Sequence, residues 1–139
     1  MSDDLYPEPI LVLARDASHA GRLAAPEVSA TADNPLCGDR VTMDVAFSGG
    51  GIGQVRHHTR GCVLCKAAAG LLAAKAEGGS RAQVAVAEAQ VRAMLEQGAR
   101  LHGAWQELAA FAPVAPHKSR HGCVLLPFRA LADALAKPR

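Results

Sequence analysis

The fold is decided by the stretch Val41–Thr59, which reads VTMDVAFSGGGIGQVRHHT. In its first half, apolar residues recur at every second position, as in a strand with one buried face: Val41, Met43, Val45 and Phe47. The run Gly49-Gly50-Gly51 supplies the positive φ angles that a tight hairpin turn needs. It lacks the Lys-Ser/Thr that completes a phosphate-binding loop. The stretch therefore predicts two antiparallel strands joined by a glycine turn, with Val28–Ala32 as a third strand.

Helical patterns dominate the rest of the chain. Gly78-Gly79 is a typical helix end, and Ser80 is a typical N-cap for the helix that follows. Five helices are predicted: Pro9–Ala20, Cys62–Glu77, Ser80–Gln97, Leu101–Phe111 and one that follows Cys123 and carries the apolar stripe Leu125, Phe128, Leu131 and Leu135. Strands cluster in the first half and do not alternate with helices. This order predicts an α+β fold, a small antiparallel three-stranded sheet with helices packed on one face, in a single domain over residues 1–139.

Charge and apolar length argue against several classes of partner. The 139 residues include 15 Lys and Arg against 13 Asp and Glu, a net charge of +2, and no run of like charges. Nucleic acid and anionic membrane are therefore not expected partners. The acidic start carries no secretory pattern, and apolar stretches such as Ala67–Ala74 are too short to span a bilayer. We expect a cytoplasmic protein, in which the four cysteines stay reduced.

Three of the four cysteines lie beside glycine at the ends of predicted elements, in Cys37-Gly38-Asp39, Gly61-Cys62 and Gly122-Cys123. A cysteine at a helix N-terminus is stabilised as thiolate by unpaired backbone N–H groups and the helix dipole. Three thiolates and the Asp39 carboxylate make a four-ligand set that suits tetrahedral zinc or an iron–sulfur cluster. The alternative is that these are ordinary buried cysteines. Their shared placement favours a metal or sulfur-handling site.

The same residues resemble a known family. The string Asn34-Pro35-Leu36-Cys37-Gly38-Asp39 closely resembles the first signature of the iron–sulfur cluster assembly scaffolds, namely IscU, SufU and the N-terminal domain of NifU. The resemblance continues through Gly61-Cys62-Val63-Leu64 and Arg120-His121-Gly122-Cys123-Val124-Leu125, and includes Leu5-Tyr6 near the start. It implies that Cys37, Asp39, Cys62 and Cys123 hold the metal or cluster.

The SufU branch is the more similar one. It shares the long segment between the second and third cysteines, here around Ser80–Gln97, and it lacks the His that the IscU branch places before the third cysteine, where this chain has Gly122. Similarity to SufU implies that Arg120 pairs with Asp39 when the metal is exchanged or absent. The chaperone motif Leu-Pro-Pro-Val-Lys of the IscU branch is not intact in this chain.

Cys65 is the largest departure from the family, which usually has a small hydroxyl residue at this position. It creates a Cys-x-x-Cys with Cys62 and is a candidate additional ligand or resolving thiol. The histidines carry less weight. Adjacent strand residues point to opposite faces, so at most one of His57 and His58 faces the site, and His121 is the other histidine close to a ligand. Trp105 lies in an apolar helical pattern and is predicted to be core.

Three functions are consistent with these residues. The first is a non-enzymatic scaffold that accepts sulfur from a cysteine desulfurase, builds a labile [2Fe–2S] cluster and passes it to apo acceptor proteins. The second is a zinc-dependent sulfurtransferase of the SufU type, in which Cys37 accepts the sulfur. The third is a structural zinc domain without transfer chemistry. The first two use the same four residues, so the sequence leaves the choice between them open.

Overall fold

The computed structural model describes residues 7–138 of the chain; Leu5 and Tyr6 of the family resemblance lie outside this range. Three strands form one antiparallel sheet in the order β1 (Val28–Asn34), β2 (Asp39–Ser48) and β3 (Gly51–Arg60). Four α-helices accompany it: α1 (Glu8–Arg15), α2 (Val63–Ala76), α3 (Arg81–Gln97) and α4 (His121–Leu135). The predicted α+β fold with a three-stranded antiparallel sheet is confirmed.

The hairpin between β2 and β3 forms where the sequence predicts it. Gly49 and Gly50 have φ angles of +60° and +85°, which a hairpin turn needs and which glycine adopts without steric cost. The register places Val41 opposite Thr59 on one side and Ala32 on the other. Val41, Met43 and Val45 are fully buried on β2, which packs against α4, so the alternation in the sequence corresponds to the two faces of the sheet.

Helices α2 and α3 begin and end near their predicted bounds. Ser80 accepts a hydrogen bond from the Gln83 N–H, and the Gln83 side chain accepts one from the Ser80 N–H, which is a complete capping box. Gly98 ends α3 in the left-handed conformation. Trp105 is 8% exposed, as predicted for a core residue.

Three predicted helices differ from the structure. The first ends at Arg15 instead of Ala20, because Asp16 accepts hydrogen bonds from both the N–H and the hydroxyl of Ser18. Ala20 then forms a parallel bridge to His57 on β3.

The segment predicted as a helix over Leu101–Phe111 is a 3₁₀ helix over Gly103–Val114, whose first residue, Gly103, has φ +70° and which includes Pro113. The last helix starts at His121, before Cys123 and not after it, and follows a short 3₁₀ turn at Lys118–Arg120. Within residues 7–138, no helix is both long and apolar enough to cross a membrane.

Candidate metal centre

The loop between β1 and β2 is held by Asn34. Its carbonyl accepts the N–H groups of Cys37 (3.3 Å) and Gly38 (2.8 Å), and its side-chain Oδ1 accepts the N–H of Leu36 (3.1 Å). Gly38 adopts φ +76°, a conformation that favours glycine. The turn leaves Cys37 exposed and places Asp39 at the start of β2, where it is 3% exposed. Sequence reasoning assigned Asn34 no role of its own, although an Asn before Pro is a typical turn signal.

Cys62 reaches the same place from the end of β3. It is the N-cap of α2, and its backbone N–H donates to Asp39 Oδ1 at 3.0 Å. Its Sγ lies 3.4 Å from Asp39 Oδ2. A Cβ at Gly61 would lie 2.7 Å from Asp39 Cγ and nearer still to Oδ1, so only glycine fits beside the carboxylate.

Cys123 comes from the first turn of α4. Its Sγ is 3.9 Å from Cys37 Sγ, and the two sulfurs and an Asp39 oxygen all lie within 4.8 Å of one another. Cys62 joins them through the 3.4 Å contact with Asp39 and a hydrogen bond with Cys123. The four predicted ligands, which are up to 86 positions apart in sequence, therefore converge at one end of the sheet.

Two of the donor–donor distances match those between the ligands of a tetrahedral ion. With metal–sulfur bonds of about 2.3 Å, two sulfur ligands of a tetrahedral zinc lie about 3.8 Å apart, and a sulfur and a carboxylate oxygen about 3.6 Å apart. The corresponding distances here are 3.9 Å for Cys37 to Cys123 and 3.4 Å for Cys62 to Asp39. Thiolate donors with one oxygen suit zinc or iron better than calcium or magnesium.

The hydrogen bond between Cys62 and Cys123 makes the pKa values of their two thiols different. A hydrogen bond from Cys123 lowers the pKa of Cys62 to about 7, and the backbone N–H of Cys65 acts in the same direction. The hydrogen bond to Cys62, with burial and the neighbouring negative charges, raises the pKa of Cys123. In the metal-free protein Cys62 is therefore the more acidic of the two thiols.

Cys65 lies behind the site in the core of the protein. It is fully buried, and burial, with the charges of Asp39, Cys62 and Cys37, raises the pKa of its thiol. It is not part of the three-residue group of Cys37, Asp39 and Cys123. Burial with a raised pKa is typical of an inert core cysteine and not of a reactive one.

The remaining residues that the sequence suggested for the site are Arg120 and three histidines. Arg120 ends the 3₁₀ turn before α4 and is half-buried. Its pairing with Asp39 stays a prediction. His57 is buried and His58 exposed, as expected for adjacent strand residues. His57 Nδ1 lies 2.8 Å from the Thr59 hydroxyl, while His121 Nε2 lies 2.9 Å from the Ala115 carbonyl oxygen.

An open pocket of about 530 Å³ leads to Cys37, Asp39 and Cys62. Arg40 and Arg60 line it, and they lie opposite each other on β2 and β3. Like charges directly opposite on a sheet are unfavourable, and Arg40 also pairs with Asp33 at 2.6 Å. The pocket therefore brings two arginines together with the carboxylates of Asp33 and Asp39, which the sequence did not predict because Arg40 and Arg60 are far apart in the chain.

Comparison with known proteins agrees with this geometry. The sequence matches the family described as the NifU-like N terminal domain over residues 5–123, and the chain belongs to that family. The structure resembles the N-terminal part of a nitrogen-fixing NifU-like protein from Brucella abortus, with a TM-score of 0.89 and 30% identity, covering 96% of this chain and 93% of the other.

A second similar structure comes from Fervidobacterium islandicum and is described as an iron–sulfur cluster assembly scaffold for the SUF system. Its TM-score is 0.87 at 24% identity, over 97% of this chain and 99% of the other, which is a likeness of fold. No curated protein matched the sequence. The family recognised from the cysteine motifs is confirmed.

Proposed function

We propose that this chain is a scaffold on which an iron–sulfur cluster is assembled and from which it is passed to apo acceptor proteins. Cys37, Asp39, Cys62 and Cys123 would hold the cluster as cargo. The observation that carries the proposal is the convergence of these four donors beneath an open pocket, with the Cys37 thiol exposed. Structural zinc sites are closed by their ligands, whereas a site that receives and releases cargo needs an accessible face. Membership of the NifU-like family supports the same function.

Sulfur would arrive from a cysteine desulfurase, with Cys37 as the acceptor. The Cys37 thiolate attacks the outer sulfur of the donor persulfide, a new S–S bond forms, and the donor cysteine leaves as thiolate. Exposure supports this assignment, because Cys62 is half-buried and Cys123 buried. Arg120 is the proposed partner of Asp39 while the metal is displaced. Reduced thiols of this kind suit the cytoplasm.

A zinc-dependent sulfurtransferase is the second candidate. The observation that favours it is that the Cys37–Cys123 and Cys62–Asp39 distances match those between ligands of a tetrahedral ion. Metal analysis of protein purified with and without oxygen separates the two functions. Zinc that survives cluster reconstitution at one ion per chain would favour sulfur transfer. Sulfide-dependent visible absorbance with two irons per chain would favour the scaffold.

The ligand assignment is tested by single serine replacements. We expect Cys37→Ser, Cys62→Ser and Cys123→Ser each to lose most bound metal, because each removes a thiolate donor. Cys65→Ser is the matched control, since it changes the same atom on the same helix as Cys62 and should lose little. Elemental analysis after dialysis against a chelator measures the difference. Full metal retention by all three ligand variants would contradict the site.

Sulfur acceptance is tested separately. Incubation with a cysteine desulfurase and cysteine should add one sulfur, about 32 Da, to the peptide that contains Cys37. Arg120→Ala should bind metal normally and accept sulfur more slowly. Sulfur found on Cys65 alone, with Cys37→Ser still competent, would make the Cys-x-x-Cys the working pair.

A further inference from the structure

A second concave surface lies on the other side of the Cys37 loop. Its volume is about 330 Å³, and it lies between the loop and α4. Pro35, Leu36, Leu125 and Leu126 form its apolar lining, and Arg92 and Arg129 also line it. We call it the Leu36 groove. It lacks the four metal-site donors, and neither candidate function uses it.

Leu36 is unusually exposed for a large apolar residue. Its exposure is 96%, against 52% for Val12 and for Val86, the other exposed large hydrophobic residues within 7–138. The exposure is built into the turn, because Asn34 Oδ1 accepts the Leu36 N–H and the Asn34 carbonyl accepts the next two N–H groups. A side chain held outward next to an apolar concavity is typical of a surface that a partner covers.

The charge of the groove specifies the partner. Arg129 is exposed and has no carboxylate partner among the described residues, and Arg92 has only a 3.9 Å contact with Glu88. Asp33 is the one acidic residue that lines the groove, and it is paired with Arg40 at 2.6 Å. The groove therefore combines an apolar lining with one cation that has no carboxylate partner among residues 7–138, Arg129, and one that is paired at long distance, Arg92. Arginine beside apolar contact area favours an acidic segment with an apolar anchor.

We propose that the Leu36 groove binds a segment of a partner protein that carries a pair of bulky apolar side chains flanked by Asp or Glu. Leu36 is the residue before Cys37, so a segment seated there brings its protein next to the exposed thiol. This inference deepens the proposed function by naming the chemistry through which a sulfur donor or cluster acceptor is recognised at that site.

The test uses the full metal-free chain labelled with ¹⁵N and a synthetic ten-residue probe, Gly-Ser-Asp-Glu-Leu-Phe-Asp-Glu-Ser-Gly. Two control peptides replace either Leu-Phe by Ser-Ser or the four acids by Lys. We expect saturable amide shifts around Leu36, Leu125 and Arg129 with the first peptide only. The variants Leu36→Ser and Arg129→Glu should each weaken binding by about tenfold or more, as loss of an anchor or reversal of a charge does. Val12→Ser, on α1, is the matched apolar control and should bind like wild type.

Equal binding of the Ser-Ser peptide, shifts confined to another surface, or unchanged affinity in both groove variants would overturn the proposal. So would concentration-dependent dimerisation of the chain that Leu36→Ser abolishes, because the occupant would then be a second copy. The peptide assay needs no metal or sulfur transfer. If the wild-type chain bound no metal, the proposed function would fail while the groove result would stand.

Discussion

Replacing Gly61 by alanine tests how closely the backbone is fitted around the Asp39 carboxylate. The new Cβ would lie 2.7 Å from Asp39 Cγ, whereas normal carbon contacts are about 3.6 Å, so one of the two groups must move by about 1 Å. Overpacking of this kind costs about 1–3 kcal/mol. Displacing Asp39 also weakens its 3.0 Å hydrogen bond from the Cys62 N–H, which is a loss of about 1 kcal/mol. Gly61→Ala should therefore destabilise the metal-free protein by about 2–4 kcal/mol, or roughly 6–15 °C in Tm for a chain of this size.

Gly70→Ala is the matched control. A Cβ at Gly70 would meet its nearest neighbours at 3.6–3.8 Å, which is ordinary contact, and Gly70 lies within α2. Alanine is favoured over glycine in a helix interior by roughly 0.5–1 kcal/mol. The same substitution nine residues further along should therefore be neutral or stabilising.

A double-mutant cycle with Asp39→Ala identifies the cause. Once the carboxylate is gone, Gly61→Ala should cost less, because the 2.7 Å approach to Cγ is removed and only the 3.1 Å approach to the Cβ at position 39 remains. The two effects should therefore be non-additive by about 1–3 kcal/mol. Urea unfolding of the four metal-free proteins measures the coupling. If the two costs simply added, or if Gly61→Ala melted like wild type, the argument that Gly61 makes room for the carboxylate would be wrong.

Two further predictions concern Asp39 and His57. Asp39→Ala leaves three thiolate ligands and a fourth position that water fills, so a reconstituted cluster should be held longer and pass to an apo acceptor more slowly. Visible absorbance of the cluster measures both rates. Faster loss of the cluster would show that Asp39 is a structural anchor instead. Burial lowers the pKa of His57 to about 4 from 6.5. Between pH 6.5 and pH 4 the unfolded chain takes up a proton on His57 that the folded chain does not. The free energy of unfolding is therefore unaffected by His57 above pH 6.5 and falls as the pH drops towards 4, by about 3 kcal/mol at most. Denaturant melts from pH 7 to 4.5 measure this slope, and His57→Gln should flatten it; an unchanged slope would assign it to other groups.

The local features of the fold were readable from the sequence. Alternation over Val41–Phe47 gave the buried face of β2, and the three glycines gave the hairpin, because both depend on the conformations of neighbouring residues. The capping box at Ser80 and the end of α3 at Gly98 are local for the same reason. The first helix was predicted too long, because its signal is apolar spacing alone while Asp16 and Ser18 form a turn that ends it.

The site is determined partly by the sequence and partly by the tertiary structure. The sequence by itself determined that Cys37, Cys62 and Cys123 lie at element ends beside glycine, and the family motif singled out Asp39. Only the tertiary structure decided that their donor atoms meet, since this depends on how β2, β3 and α4 are packed.

Burial separated residues that look alike in the sequence. Cys62 and Cys65 share one motif, yet Cys62 lines the pocket as the N-cap of α2, whereas Cys65 lies one turn further into the helix and is enclosed by the core. Likewise, strand pairing places Arg40 opposite Arg60 beside the pocket, and the position of α4 against the loop forms the Leu36 groove. Propensity and spacing act over a few residues, whereas side-chain burial, proton sharing and the charge of a surface are set by residues far apart in the chain.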